Sequence, residues 1–128
     1  MVQKITEGIC VQVETCYKGL FMGTKGPVHV FGYKISIANQ TDFRVQLVSR
    51  KWTIIDTKDS TECVIGDGVI GEQPIIAPDD AFTYESFCHL NSTVGAMKGH
   101  YTMQRMTDRE SFRVDIPTFQ LFAPFKRN

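Results

Sequence analysis

No stretch of this chain approaches the roughly 18 uninterrupted apolar residues that a membrane-spanning helix needs. Its opening, MVQKITEGICVQVE, holds neither a continuous apolar segment nor a small-residue cleavage site. A spanning helix and a cleaved leader are both disfavoured, and the expectation is a soluble cytoplasmic protein without membrane insertion. An excess of either charge is missing too, because 14 Lys and Arg cancel 14 Asp and Glu at pH 7. A surface built to neutralise phosphates usually shows as a basic excess, so nucleic acid is not an expected partner, although a local patch stays open. The four cysteines, Cys10, Cys16, Cys63 and Cys88, include no C-x-x-C pair and no histidine at zinc-finger spacing. Cys10 and Cys16 sit on one face of an expected strand but ~20 Å apart along it at about 3.3 Å per residue, too far to bridge. Reduced thiols acting as small buried or half-buried hydrophobes are expected, with no metal and no cofactor. Cys88-His89, the one adjacent soft pair, would point to opposite strand faces and chelate poorly.

Helical periodicity is absent as well. In VHVFGYKISIAN, Phe31, Tyr33, Ile35 and Ile37 alternate with Gly32, Lys34 and Ser36, as on a half-buried strand. Asn39-Gln40-Thr41-Asp42 supplies a turn. In FRVQLVSRKWTIID the apolar positions run odd through Phe43, Val45 and Leu47, then even through Trp52 and Ile54. A one-residue change of phase inverts every side chain, which predicts a β-bulge or sheet crossing near residues 48–51. Further period-two runs cover Phe82 to Ser86, Met97 to Met103 and Phe112 to Ile116, the last broken by Pro117. Turns are expected at residues 57–61 and 107–111, and a loop at residues 89–93. Ile9, Val11 and Val13 form the expected first strand, Gly19, Gly23, Gly26 and Pro27 a flexible connection, and Pro74 and Pro78 bracket an edge segment at Ile75-Ile76. Seven or more strands with regular turn signals predict an all-β sandwich. The one tryptophan, placed among alternating hydrophobes, resembles the core tryptophan of immunoglobulin-like and fibronectin type III-like sandwiches, and the lack of a cysteine pair at sandwich spacing favours the latter. A chain of 128 residues reads as one domain, with a core of about residues 9–122 and a short polar tail at 123–128.

Residues 66–71, GDGVIG, have the G-x-G-x-x-G spacing of dinucleotide-binding folds. That motif works because a helix leaves it and turns its amides and dipole on the phosphates. Here Pro74 and Pro78 follow, and proline in a helix interior costs about 3 kcal/mol or more. Three readings of the triplet remain open: a sharp turn or bulge that needs positive φ at Gly66, Gly68 and Gly71, a close-approach surface for a partner chain or another strand, and an anion nest helped by Arg50 or Lys51. Asp67 inside the loop weakens the last.

Catalytic constellations are equally scarce. His29, His89 and His100 are scattered and none lies in a motif that fixes a role, so the chain is not expected to be an enzyme. Asp56, Asp59, Glu62, Asp67 and Glu72 cluster in sequence around one hairpin; hard cations prefer such oxygens, but a solvated loop face is the simpler reading. Arg50, beside the expected bulge and the tryptophan, is expected either to stack its guanidinium or to form a bidentate pair with a loop carboxylate, and pairing with Glu72 would tie the bulge to the glycine loop.

Several blocks go beyond fold type: Ser49-Arg50 before Trp52, the run 66–74 (GDGVIGEQP), Gly95 through Met97 to Gly99 and Tyr101, and Ile116-Pro117 before Phe119. In these the chain resembles the ApaG family over roughly residues 9–122. The resemblance implies a fibronectin type III-like sandwich, no settled biochemical activity, an association with cobalt and magnesium tolerance or efflux, genes often near a diadenosine tetraphosphate hydrolase, and eukaryotic copies that look like protein-recognition modules. Lys51 stands where the family commonly has histidine, and Asp79-Asp80 where Gly-Glu is usual, so no metal or catalytic role for a histidine at 51 carries over. The function expected is a non-enzymatic interaction module with a protein partner, a homodimer being possible, and with Arg50, Gly66, Asp67, Gly68, Gly71 and Glu72 as ligand or partner contacts. The alternative is a nucleotide or polyphosphate binder using the glycine loop.

Overall fold

The computed structural model describes residues 1–57 and 61–124. The middle of the turn expected at 57–61, with Asp59, and most of the polar tail lie outside them. The strands are β1 (Val2–Thr6), β2 (Ile9–Gly23), β3 (Gly26–Asn39), β4 (Val45–Asp56), β5 (Glu62–Asp67), β6 (Ile75–Ile76), β7 (Ala81–Leu90), β8 (Val94–Arg105) and β9 (Ser111–Phe122). They form two antiparallel sheets. One runs β1-β2-β3-β7; the other runs β5-β4-β8-β9, with β6 beside β4 as the short edge segment that the flanking prolines predict.

Alternation builds the core. Phe31, Tyr33, Ile35 and Ile37 of β3 are buried, as are Val45 and Leu47 of β4, and after the change of phase Trp52 at 3% exposure. The register shift that inverts the phase falls between Leu47 and Ser49, so the bulge predicted near residues 48–51 centres on Val48. Trp52 meets Tyr33 edge-on at 5.6 Å and Phe119 at 5.9 Å between centroids, so three strands from both sheets converge on one ring. Each fully buried branched or aromatic side chain contributes about 2 kcal/mol through removal from water. Polar groups inside are matched. The Tyr84 and Tyr101 hydroxyls share a 2.6 Å hydrogen bond from sheet to sheet, and buried Asn39 donates to the carbonyls of Phe43 (2.8 Å) and Ile76 (3.0 Å) while accepting from Thr41.

Four expectations need correction. A strand, β1, precedes Ile9; its residues are mostly exposed, so it carries no clean alternation to read. Gly19, Gly23, Gly26 and Pro27 do not mark a flexible connection, because β2 and β3 continue through them as one long hairpin, with a bulge between Tyr17 and Gly19. Pro117 does not end the last strand. It sits in a register shift where Met97 faces Phe119 and Gly99 faces Ile116, so β9 carries the extra residue and proline's missing N–H is tolerated there. Of the cysteines, Cys10 and Cys88 are buried, but Cys16 and Cys63 are exposed. Cys16 lies in the largely exposed part of β2 beyond Val13, and Cys63 lies on an edge strand.

One side of the sandwich is closed and the other open. On the closed side β1 lies against β9, where Asp115 N–H donates to Thr6 Oγ1 at 3.3 Å. On the open side the two sheets end in β5 and β7, neither paired along its outer edge among the described residues.

Candidate functional site

The site grows out of the Val48 bulge. A bulged residue leaves the ladder, and the Val48 carbonyl accepts instead from Gly68 N–H at 2.8 Å and Gln73 Nε2 at 2.9 Å. That anchors the glycine loop on both arms. Between the anchors, Val69 and Glu72 exchange both backbone hydrogen bonds at 2.8 Å, which makes Ile70 and Gly71 the centre of a two-residue hairpin turn. Their φ values of +43° and +79° are the positive pair that type I′ turns require. Glycine suits this. Isoleucine does not, since a β-branched residue at positive φ is an outlier held by its surroundings. Val69 is buried beneath the turn, whereas Ile70 is 55% exposed at its tip.

The three glycines serve different ends. Gly68 has φ +61°, and a Cβ there would lie 2.0 Å from the Glu72 carbonyl oxygen, so this position needs both the conformation and the space. Gly71 has φ +79° and open space around it. Gly66 is not at positive φ, contrary to the sequence expectation. It is an extended residue of β5 directly opposite Arg50, and a Cβ on it would stand 2.9 Å from Arg50 Nη1. Its bareness makes room for the guanidinium.

Arg50 ties the bulge to the glycine loop as expected, but through different atoms. Its Nη1 donates to the carbonyls of Gly68 (2.8 Å) and Asp67 (3.2 Å), not to the Glu72 carboxylate. The cross-strand pairing of Arg50 with Gly66 lays the guanidinium over the end of β5, within reach of those carbonyls, while Glu72 follows the tight turn and is exposed. Among the described residues Arg50 has no ion-pair partner. Asp67 is exposed at the end of β5. The backbone N–H groups of Gly68, Val69 and Glu72 are all donated within the chain, which removes three donors from any anion nest at this loop.

Beside the loop, between β5 and β7, the sandwich opens into a cleft of about 270 Å³. Trp52, Tyr84 and Met97 lie at its base, Val64 and Val69 on the side of β5 and the turn, and Ile70 and Phe87 at the exposed rim; Arg50, Tyr33 and Ser86 bring the polar atoms. Phe87 is 60% exposed. Burial pushes the Tyr33 hydroxyl above its ordinary pKa against the opposing effect of its hydrogen bond to Ser86, and burial raises Tyr84 as well, so both are neutral donors at pH 7. Cys88, beside Phe87 on β7, has its thiol pushed up to about 11 by burial first and then by Glu62 and Asp56. The cleft thus offers apolar surface, neutral hydroxyls and one cation. Such a combination has the makeup of a ligand-binding surface.

The histidines lie apart from one another. His29 Nδ1 is 2.8 Å from the Tyr17 hydroxyl, His89 is exposed near Asp56 and Glu62, and His100 is on the outer face of β8. No group of three His, Cys, Asp or Glu comes together as metal ligands among the described residues, and no helix there is long and apolar enough to cross a membrane. Sequence reasoning found Arg50 and the loop but missed Ile70, Tyr84 and Phe87. The only signal for Ile70 was an apolar residue at the tip of a glycine-flanked turn.

Comparison with known proteins agrees with this architecture. The model of the ApaG domain matches residues 23–105. Protein ApaG of Brucella anthropi is 43% identical over 127 residues, spanning 99% of this chain and 97% of that protein. Protein ApaG of Sinorhizobium fredii is 40% identical over 124 residues, spanning 97% and 95%. The crystal structure of the putative ApaA protein from Bordetella pertussis superposes with a TM-score of 0.83 at 32% identity, covering 92% of this chain and 95% of that one. The C-terminal domain of wzt shares the fold alone, with a TM-score of 0.56 at 7% identity. With its sandwich, its bulge-anchored glycine turn and relatives matched over nearly their whole length, this chain belongs to the ApaG family.

Proposed function

We propose that this chain is a non-enzymatic protein-interaction module of the cytoplasm that receives a partner protein at the cleft between β5 and β7. The partner places an apolar side chain between Ile70 and Phe87 and an acidic or amide group on Arg50. The observation that carries this reading is the exposed Ile70, held at positive φ on a turn that three separate backbone and side-chain anchors fix in place. Strain retained at an exposed apolar tip is what a recognition surface keeps and a merely structural turn discards. The half-buried Arg50, with no carboxylate partner among the described residues, supplies the complementary charge. Association with cobalt and magnesium homeostasis then runs through the partner and not through cation binding by this chain.

A pulldown from the source cell's lysate tests this by comparing the natural chain with Ile70→Asp and Phe87→Asp. Loss of the same specific protein from both variants, with unchanged thermal unfolding, supports the reading; equal capture by all three sinks it. Sedimentation of the purified chain distinguishes a second copy as occupant. Calorimetric titration with diadenosine polyphosphates, and separately with cobalt or magnesium, addresses the small-ligand alternative. Heat accompanied by chemical-shift changes confined to the loop at residues 66–72 would replace the proposal with nucleotide binding at the glycine turn.

A further inference from the structure

The outer face of the β5-β4-β8-β9 sheet, on the far side of that sheet from the buried core, holds a second concavity of about 330 Å³. Lys51 on β4, Lys98 on β8 and Arg113 on β9 line it, and Lys4 reaches it from β1 of the other sheet. The four come from distant parts of the chain and are brought together by register. Lys51 is opposite His100, which is opposite Asp115; Thr53 is opposite Lys98, and Thr102 opposite Arg113. Lys51 and Lys98 are therefore diagonal neighbours on one face.

Among the described residues Asp115 is the only carboxylate lining the concavity. It is already engaged twice, by Lys4 at 3.3 Å and by Arg113 at 3.0 Å. Lys51 and Lys98 have no ion-pair partner among the described residues. Lys51 and Lys98 repel each other across the diagonal while the carboxylate beside them is taken up by Lys4 and Arg113, which leaves a place for an anion. Four cations around one acid form a local positive field in a chain whose total charge cancels. His100 feels that field: its pKa lies below the usual value, first through desolvation and then through Arg113 and Lys51, which leaves a neutral ring with an N–H to donate. Thr53 and Thr118 add hydroxyls to the lining.

We infer that this concavity is a binding site for an oligophosphate group, held by Lys51, Lys98, Arg113 and Lys4 around the His100 imidazole. The spread of the cations sets the length of the ligand. Strands β4 and β9 are two sheet spacings apart, about 9.5 Å, so a single phosphate reaches one or two of the cations whereas a chain of two or three phosphates reaches across all three strands. Each charge-assisted hydrogen bond is stronger than a neutral one. The site is on a different face from the β5–β7 cleft and stands or falls independently of the protein-interaction reading.

The experiment is a titration of the full chain with inorganic tripolyphosphate at about 150 mM salt, where exposed charges are screened as in the cell, read by calorimetry and by backbone and imidazole chemical shifts. The expected result is saturable binding with shifts at residues 51–53, 98–100 and 113–115, and a rise in the His100 pKa as the anion offsets the positive field. Lys51→Glu/Lys98→Glu should weaken binding by about a hundredfold, at about tenfold for each charge-assisted hydrogen bond removed. The milder Lys51→Gln/Lys98→Gln pair guards against misfolding and should weaken binding by about tenfold or more, while Lys34→Glu on the other sheet should leave it unchanged. An ATP arm distinguishes the source: adenine shifts that accompany the same face shifts assign the site to a nucleoside polyphosphate, and their absence assigns it to a free oligophosphate. No binding, shifts confined to other surfaces, equal affinity in the Gln pair, or capture of duplex DNA by this face without tripolyphosphate binding would each overturn the assignment.

Discussion

Replacing Gly68 by alanine should damage the fold more than the same change at Gly71, though both glycines have positive φ in the same loop. At Gly71, φ +79°, an added methyl meets nothing within 4 Å, so only the conformational penalty applies, roughly 1 kcal/mol. At Gly68, φ +61°, the same penalty comes with a Cβ 2.0 Å from the Glu72 carbonyl oxygen and 2.8 Å from its carbon. Backbone cannot yield there as a side-chain tip can. Restoring an ordinary van der Waals separation requires about 1 Å of movement, which breaks the reciprocal Val69–Glu72 pair or frees Gly68 N–H from the Val48 carbonyl. At about 1 kcal/mol net per hydrogen bond, loss of the reciprocal pair on top of the conformational penalty comes to about 3 kcal/mol. Urea unfolding followed by the fluorescence of the single tryptophan, buried at 3% exposure, measures both variants against the natural chain. In a domain of this size 1 kcal/mol corresponds to about 4 °C, so thermal midpoints should fall by about 12 °C for Gly68→Ala and about 4 °C for Gly71→Ala. Equal losses for the two would refute the close-approach argument and leave backbone conformation as the whole reason for glycine.

Four other outcomes are expected. Gly66→Ala keeps an allowed extended backbone but displaces Arg50 Nη1 from the carbonyls of Asp67 and Gly68; it should cost about 1 kcal/mol, and Arg50→Ala added to it should cost almost nothing more, which a double-mutant cycle by urea unfolding checks. Asn39→Leu removes the two hydrogen bonds that the buried amide donates to the Phe43 and Ile76 carbonyls and the one that its Oδ1 accepts from Thr41 N–H, and should destabilise by about 3 kcal/mol, seen as a lowered urea midpoint at unchanged slope. Cys16 and Cys63 should react with a thiol reagent in the native chain while Cys10 and Cys88 wait for unfolding, as mass spectrometry of timed samples would show. Because burial lifts the Cys88 thiol from 9.0 to about 11 in the fold, its contribution to stability is complete below about pH 9 and disappears between there and about pH 11; urea midpoints measured across that range should show Cys88→Ala with a smaller alkaline loss than the natural chain.

Much of the sandwich was legible because a strand buried on one face writes its orientation into every second residue. The phase change between Leu47 and Trp52 even located the bulge. Where both faces of a strand are wet, as in β1, or where a hairpin runs past the core, as in β2 and β3 around Gly23, the pattern disappears and sequence reading fails. The glycine loop was legible as a tight loop, but the reason for Gly66 was not, since it lies in the Arg50 guanidinium that register sets across from it on the neighbouring strand. Arg50 was correctly marked and wrongly partnered: charge alone points to a carboxylate, whereas strand register delivered carbonyl oxygens. The two concavities were illegible for a common reason. Lys4, Lys51, Lys98 and Arg113 meet only through sheet order, and so do Ile70, Phe87 and Tyr84. A net charge of zero concealed the first of these groupings altogether.

Ile70 sets stability and recognition against each other. Asparagine or glycine would take φ +43° with less resistance, and either should make the isolated chain sturdier by about 1 kcal/mol. Copies selected only for heat resistance, in a laboratory screen or in a lineage that has lost the partner, would be expected to drift to those residues first. A natural relative with asparagine at this tip would therefore be a sign that its docking role had lapsed, readable from one codon while the rest of the sandwich stayed intact.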